Sequence, residues 1–196
     1  MRRYKYKDVI SARINANQKI SAALLGDTSK LEQIAMVIAR AYKNKNKVIC
    51  FGNGGSATDA QHVAAELLGK YRMNRGGLPA IALSSNIASL TAISNDYSFA
   101  DVFSRQIAAF GLKGDVALGL STSGNSVNVI NAFKMAKIKG LITIGLTGKA
   151  GGKIKHIVDF CHCAQSNDTP RVQEAHTLIG HIVCELVERE LFSDDR

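Results

Sequence analysis

His62 and Glu66 lie four residues apart in the stretch 49–70, ICFGNGGSATDAQHVAAELLGK, where an apolar run stops at a glycine-rich turn and a helical pattern begins. Four residues is about one helical turn, so the imidazole and the carboxylate project from one face and reach a common point. Neutral imidazole and carboxylate oxygen suit zinc, but a zinc site takes about three or four protein ligands. A solvated surface pair has the same spacing, so a second half-site is needed. Near the C-terminus, Gln173 and His181 are eight residues apart, which places them about 80° apart around a helix and on one broad face. His176 lies between them, close to the direction of Gln173; a lone helical histidine is more often packed or capping than a ligand.

Two loops carry a different chemistry. Gly52, Gly54 and Gly55 supply permissive backbone between an apolar strand and a helix, and Ser56 stands where that helix should begin. The unpaired N–H groups of a helix N-terminus stabilise an anion such as phosphate. GNGGSA lacks the Lys-Ser/Thr ending of a nucleotide P-loop, and its glycines do not fall as G-x-G-x-x-G. A plain tight turn would use the same six residues. The run Ser121-Thr122-Ser123-Gly124-Asn125-Ser126 repeats the arrangement after another apolar strand. Four hydroxyls beside helix-end N–H groups match a phosphate monoester, whereas helix capping needs only one.

The elements that must position these groups follow from periodicity. Residues 8–25 and 28–42 carry apolar positions at helical intervals, and 43–47 form a polar link. Apolar runs at 48–51, 80–83, 116–120, 141–146 and 157–164 read as five strands. Helical patterns at 88–94, 100–110 and 127–139 fall between them, with the loop Asn95-Asp96-Tyr97 separating the first two. Thr169-Pro170, a capping hydroxyl before proline, starts a last helix that runs to about Leu191. Alternating strand and helix predicts an α/β protein with a doubly wound, mostly parallel five-stranded sheet flanked by helices, preceded by two N-terminal helices. We expect one domain over residues 1–196, with 1–45 as a helical extension and 46–196 as the α/β core.

A chain of 196 residues with 46% hydrophobic content has material for one sizeable core. No apolar stretch approaches a membrane span, and MRRYKYKD is not followed by a signal-peptide core, so a cytoplasmic protein is expected. Cys50, Cys161, Cys163 and Cys184 contain no C-x-x-C pair and read as small buried hydrophobes. In Cys161-His162-Cys163 the imidazole of a strand residue would point opposite to both thiols, which favours core strand over metal site. Net charge is +9, and residues 1–50 hold 11 Lys/Arg against 3 Asp/Glu. That basic segment would suit an acidic partner, but without interleaved aromatics a solvated helix face is the better reading and nucleic acid is not expected.

The stretches FGNGGSATDAQHVAAELLGKY, LTAISNDYSFADVFSRQ, GDVALGLSTSGNSVNVI, IGLTGKAGGK and DTPRVQEAHTLIGHIVCELVE closely resemble the phosphoheptose (sedoheptulose 7-phosphate) isomerases of the sugar isomerase, or SIS, superfamily. The resemblance implies the SIS fold and a homotetramer with active sites at subunit boundaries. It implies one zinc per subunit, bound by His62, Glu66, Gln173 and His181, with Glu66 and His181 doubling as the acid/base pair. Ser121, Thr122, Ser123 and Ser126 would hold the sugar phosphate, and Asn53, Gly54, Ser56, Glu66, Asn95, Asp96, Thr169 and Gln173 would line the substrate. The implied reaction turns sedoheptulose 7-phosphate into D-glycero-D-manno-heptose 7-phosphate through a cis-enediol, for bacterial heptose, lipopolysaccharide or surface glycan synthesis. Lys70 stands where several relatives have Arg, which keeps the charge and loses the bidentate fork. Pro170 replaces a small residue and Asn167 an Asp. Two alternatives come with the fold: a non-catalytic relative that associates with the bacterial replication initiator, and an isomerase for another phosphosugar. The former lack the Glu and the last His of the site, both of which this chain keeps.

Overall fold

The computed structural model describes residues 5–193. Two helices, α1 (Tyr6–Ala23) and α2 (Thr28–Lys43), precede β1 (Val48–Gly52) and α3 (Gly55–Leu68). There follow β2 (Ala80–Ala82), α4 (Ile87–Asp96), α5 (Ser104–Phe110), β3 (Val116–Ser121), α6 (Val127–Ile138), β4 (Ile142–Thr147), β5 (Phe160–Cys163) and α7 (Thr169–Phe192). The five strands pair in parallel in the order β2-β1-β3-β4-β5. Parallel sheets are covered on both faces, which is why β1 and β3 are buried at every position and read as unbroken apolar runs. On one face Val48, Cys50, Leu118, Leu120, Ile144 and Leu146 pack under α2, α3 and α7. On the other, Ile49, Phe51, Leu83 and Ala117 meet α5 and α6 through Ile107, Val129 and Phe133.

This strand order places the chain reversal between β1 and β3, so the loops leaving their carboxyl ends are neighbours. Such a switch point is where ligands bind in open α/β sheets. The glycine loop and the serine loop are those two loops.

Several boundaries differ from the sequence reading, each for a local reason. α4 starts at Ile87 because Asn86 caps it, accepting the Ser89 N–H on Oδ1 at 3.0 Å, and it extends to Asp96. Asn95 and Asp96 therefore sit in its last turn rather than in a loop. The segment 99–110 is a 3-10 turn (Phe99–Asp101) and then α5, the turn fixed by the Ser98 hydroxyl accepting the Ala100 N–H. β5 is shorter than its apolar run, because Ile157 and Val158 turn their N–H groups back to the Ile154 carbonyl and pairing with β4 begins only at Phe160. α7 is preceded by Asp168, so Pro170 lies one residue deeper than expected; first-turn N–H groups lack intrahelical partners, so proline is tolerated there. α1 leaves Tyr6, Ile10 and Ile14 exposed, and an apolar groove lined by Leu24, Leu25, Leu31, Leu178, Ile182 and Leu186 runs between the N-terminal helices and α7. Among the described residues, no helix is long and apolar enough to cross a membrane.

Candidate active site

α3 leaves the glycine loop at Gly54, whose φ of 55° lies in the left-handed region where glycine carries no Cβ penalty. The helix then presents Asp59, His62 and Glu66 toward α7, which answers with Thr177 and His181. The two helices approach closely at Gly180: a Cβ there would stand 2.8 Å from Val63 Cγ2. At this crossing the His62 Nε2 to Glu66 Oε1 distance is 3.0 Å and His181 Nε2 to His62 Nε2 is 3.3 Å. The imidazole rings meet edge to face at 81° with centroids 4.8 Å apart. One ligand atom from each of His62, Glu66 and His181 lies within 4.8 Å of the others.

Those separations test whether the residues fit a metal. Tetrahedral zinc with bonds of about 2.0–2.1 Å to nitrogen and oxygen has ligand-to-ligand edges of about 3.3–3.4 Å. Spacings of 3.0 and 3.3 Å are close to those edges. The donor set fits. Gln173 lies two turns before His181 on α7, its amide packed over Gly55 so tightly that a Cβ there would sit 2.2 Å from Nε2.

Three neighbours that the sequence reading passed over complete this end of the site. Thr177 donates its hydroxyl to Asp59 Oδ1 at 3.0 Å, while Asp59 Oδ2 is buried with no partner. Burial pushes the Asp59 carboxyl above the usual range, against the Thr177 hydrogen bond and the His62 charge. Tyr71 stacks on His181 with centroids 5.5 Å apart and 22° between the rings. Its backbone is held by Glu188, which accepts the N–H groups of Tyr71, Arg72 and Met73 at 2.8, 2.8 and 3.0 Å and the Arg75 Nε–H at 2.9 Å. Arg75 also donates to the carbonyls of Glu66 and Leu67, at the end of α3. The spacing of Asp59 three residues before His62, and of Thr177 four before His181, was the available signal for the first pair. No local pattern announces the Arg75–Glu188 pair, 113 residues apart.

The serine loop is built separately. Ser121 ends β3 with its hydroxyl 3.0 Å from that of Ser126 and 3.4 Å from that of Ser123, which accepts the Asn125 N–H at 3.1 Å. Ser126 precedes α6 without capping it, so its hydroxyl is not committed to the helix. Thr122 gives its carbonyl to the Gly148 N–H at 3.0 Å. The two loops are tied by reciprocal amide bonds of Asn53 and Asn128, at 2.9 and 2.8 Å. Asn128, 4% exposed, is a further residue the sequence reading missed. Ser56 is buried in the first turn of α3, and Gly54 is exposed at the loop tip.

The structure thus brings together His62, Glu66 and His181, sets Gln173 against the glycine loop, and joins that loop through Asn53 to the serine cluster. It leaves three expected residues outside these contacts. Asn95 donates to Asp96 Oδ1 at 2.9 Å in an exposed turn, and Thr169 is exposed at the start of α7. His162 is buried on β5 facing the opposite way from Cys161 and Cys163, with Asp27 Oδ2 3.2 Å from its Nε2.

Nearly the whole chain is similar to known proteins. The SIS domain family matches residues 13–148. A phosphoheptose isomerase of Clostridium acetobutylicum is 51% identical over 191 residues, covering 96% of this chain and 97% of that protein. One from Aneurinibacillus thermoaerophilus is 46% identical over 188 residues, covering 94% and 95%. The solved phosphoheptose isomerase of Francisella tularensis superposes with a TM-score of 0.92 at 31% identity, over 95% of this chain and all of that one. The chain carries the same fold as these proteins, and with it the carboxylate and imidazole at the α3–α7 crossing: it belongs to the phosphoheptose isomerase family of the SIS superfamily and is a phosphosugar isomerase.

Proposed function

We propose that the chain interconverts sedoheptulose 7-phosphate and D-glycero-D-manno-heptose 7-phosphate, supplying heptose for lipopolysaccharide or another bacterial surface glycan. The observation that carries this reading is the convergence of Glu66, His62 and His181 where α3 and α7 cross, together with the clustered hydroxyls of Ser121, Ser123 and Ser126 on the neighbouring loop. Ser121, Thr122, Ser123 and Ser126, with the first N–H groups of α6, bind the phosphate and so fix the register of the sugar. Asn53, held by Asn128, and Gly54 and Ser56 line the path toward C1 and C2. Asn95, Asp96 and Thr169 complete the lining in a homotetramer, where a neighbouring subunit closes the site. The exposed Tyr6, Ile10 and Ile14 of α1 and the apolar groove beside α7 support such an assembly.

His62, Glu66, Gln173 and His181 hold one zinc per subunit. When bound, it polarises the sugar's carbonyl and neighbouring hydroxyl as a Lewis acid. Glu66 has one oxygen, Oε1, turned toward His62, which leaves the other to take the proton from C1 of the opened ketose. His181 moves a proton on the opposite side of the cis-enediol, and Tyr71 stacked on its ring keeps the imidazole from turning. A proton returned to C2, with the C1 hydroxyl proton removed, gives the aldose. Residues 1–196 act as one domain, with 1–45 as its helical extension.

Glu66→Gln tests the assignment. Turnover of sedoheptulose 7-phosphate should fall by roughly 10²–10⁴-fold with the assembly intact. Activity like the wild type's would remove Glu66 from the reaction. Metal analysis of the purified protein should find zinc near one equivalent per chain.

A further inference from the structure

Cys161 and Cys163 lie outside the site described above. They stand two residues apart on β5, the edge strand, and so share one face, with their Sγ atoms 3.8 Å apart and the Thr147 hydroxyl beside both at 3.8 and 3.3 Å. Both thiols are half-buried, unlike Cys50 and Cys184, which are sealed in the core. We propose that Cys161 and Cys163 form a dithiol site that captures a monosubstituted trivalent arsenical, bridging both sulfurs, and that the bridge disturbs the phosphate loop in front of it.

The geometry selects a bridging atom over a disulfide. Residues i and i+2 of an extended strand have Cα atoms about 6.6–6.8 Å apart, at the upper edge of what a disulfide spans. Pyramidal trivalent arsenic bonded to both sulfurs holds them about 3.4 Å apart, a few tenths of an ångström less than the 3.8 Å already present. Zinc would need one or two more ligands, and among the described residues no further His, Cys, Asp or Glu completes a group around these thiols. An arsenical R–As=O needs only two. Its As–O bonds break, two As–S bonds form, and both thiol protons leave with the oxygen as water, with no change of oxidation state.

The consequence for function comes from what lies against Cys163. A Cβ on Gly151 would sit 3.2 Å from Cys163 Sγ, and a Cβ on Gly124 would sit 2.1 Å from the Gly151 carbonyl oxygen. Gly151 is therefore wedged between the thiol and the serine loop. Three bonds lace the two segments: Gly148 N–H to Thr122 O and Ile154 N–H to Gly124 O, both 3.0 Å, and Lys153 N–H to Asn125 Oδ1 at 3.1 Å. A phenylarsenic group on the two sulfurs would press on Gly151, and a shift of Gly151 would pass to the serine loop through these contacts. This coupling rests on the reading of the serine loop as the phosphate site; the capture does not.

The test uses the full-length protein and phenylarsine oxide. After washing with a monothiol, which strips arsenic held by one sulfur, intact mass should show one phenylarsenic group on the wild type and none on Cys161→Ser or Cys163→Ser, both of which keep their basal turnover. Retention by either variant, or no retention by the wild type, overturns the site. On the loaded wild type, KM for sedoheptulose 7-phosphate should rise about tenfold, the equivalent of about 1.4 kcal/mol, and a dithiol should reverse it. An unchanged KM in loaded enzyme, where Ser123→Ala does raise KM, overturns the coupling. If Ser123→Ala leaves KM unaltered as well, the phosphate assignment has failed and the mass result still decides the dithiol site.

Discussion

Replacing Glu188 by glutamine removes the charge from a buried knot that ties the end of α3 to α7. The carboxylate and the Arg75 guanidinium are each 1% exposed, and the carboxylate accepts four N–H groups. Glutamine offers one acceptor oxygen and turns an NH₂ donor toward N–H groups that are themselves donors. It also leaves the guanidinium buried beside no charge. Summing about 1.5–3 kcal/mol for each charge-assisted bond would overstate the loss, because the remaining oxygen still accepts. Breaking a buried ion pair from one side costs about 3–5 kcal/mol, which is the better figure. At this chain length that is a fall of about 6–20 °C in Tm. The pH dependence gives an independent check. Burial opposes ionisation of Glu188, but the backbone N–H groups of Arg72, Tyr71 and Met73 and the Arg75 side chain outweigh it and hold the carboxyl below its ordinary value of 4.5. A depressed acid stabilises the fold above its unfolded pKa and loses that contribution as pH falls through the folded one. The gap between wild type and Glu188→Gln should therefore be full at pH 7 and narrow below about pH 4.5. Urea unfolding of both proteins at pH 7 and pH 4, at one fixed protein concentration, measures it. A gap under about 1 kcal/mol at pH 7, or one that does not narrow in acid, would refute the reasoning.

Further expectations follow from single positions. Gly55→Ala should evict the Gln173 amide and weaken zinc retention by roughly 10–100-fold in a chelator competition, while helix propensity leaves Tm level or higher; unaltered zinc affinity would free Gln173 from its role. Ser123→Ala should raise KM for the phosphosugar roughly tenfold or more with kcat nearly constant, and an unchanged KM would make the loop structural. His176 is 1% exposed, and burial lowers its pKa to about 4 despite the bond to the Thr147 carbonyl. Its neutral form is favoured in the fold, so stability should be full above pH 6.5 and fall by about 3 kcal/mol as the pH drops to about 4. His176→Leu should flatten that slope in urea unfolding between pH 7 and pH 4.5; a slope identical to the wild type's would remove His176 as its source.

The sequence alone determined the element types and the local half-sites. Apolar runs of four to six residues bounded by glycine or hydroxyl residues read as strands covered on both faces, and β1 and β3 are buried along their length, β4 at all but its first residue. The four-residue spacing of His62 and Glu66 put both on one face of α3, because helical geometry is local. Periodicity says which face of a helix is apolar and nothing about what it meets. That His62 lies 3.3 Å from His181, 119 residues away, depends on α3 and α7 crossing closely at Gly180, which only packing decides. The same holds for the strand order that sets Asn53 beside Asn128, and for Glu188, whose glutamate looks on paper like any charge on an exposed helical turn. Its burial is dictated by three backbone N–H groups from a distant turn that the fold brings there unpaired and a carboxylate satisfies.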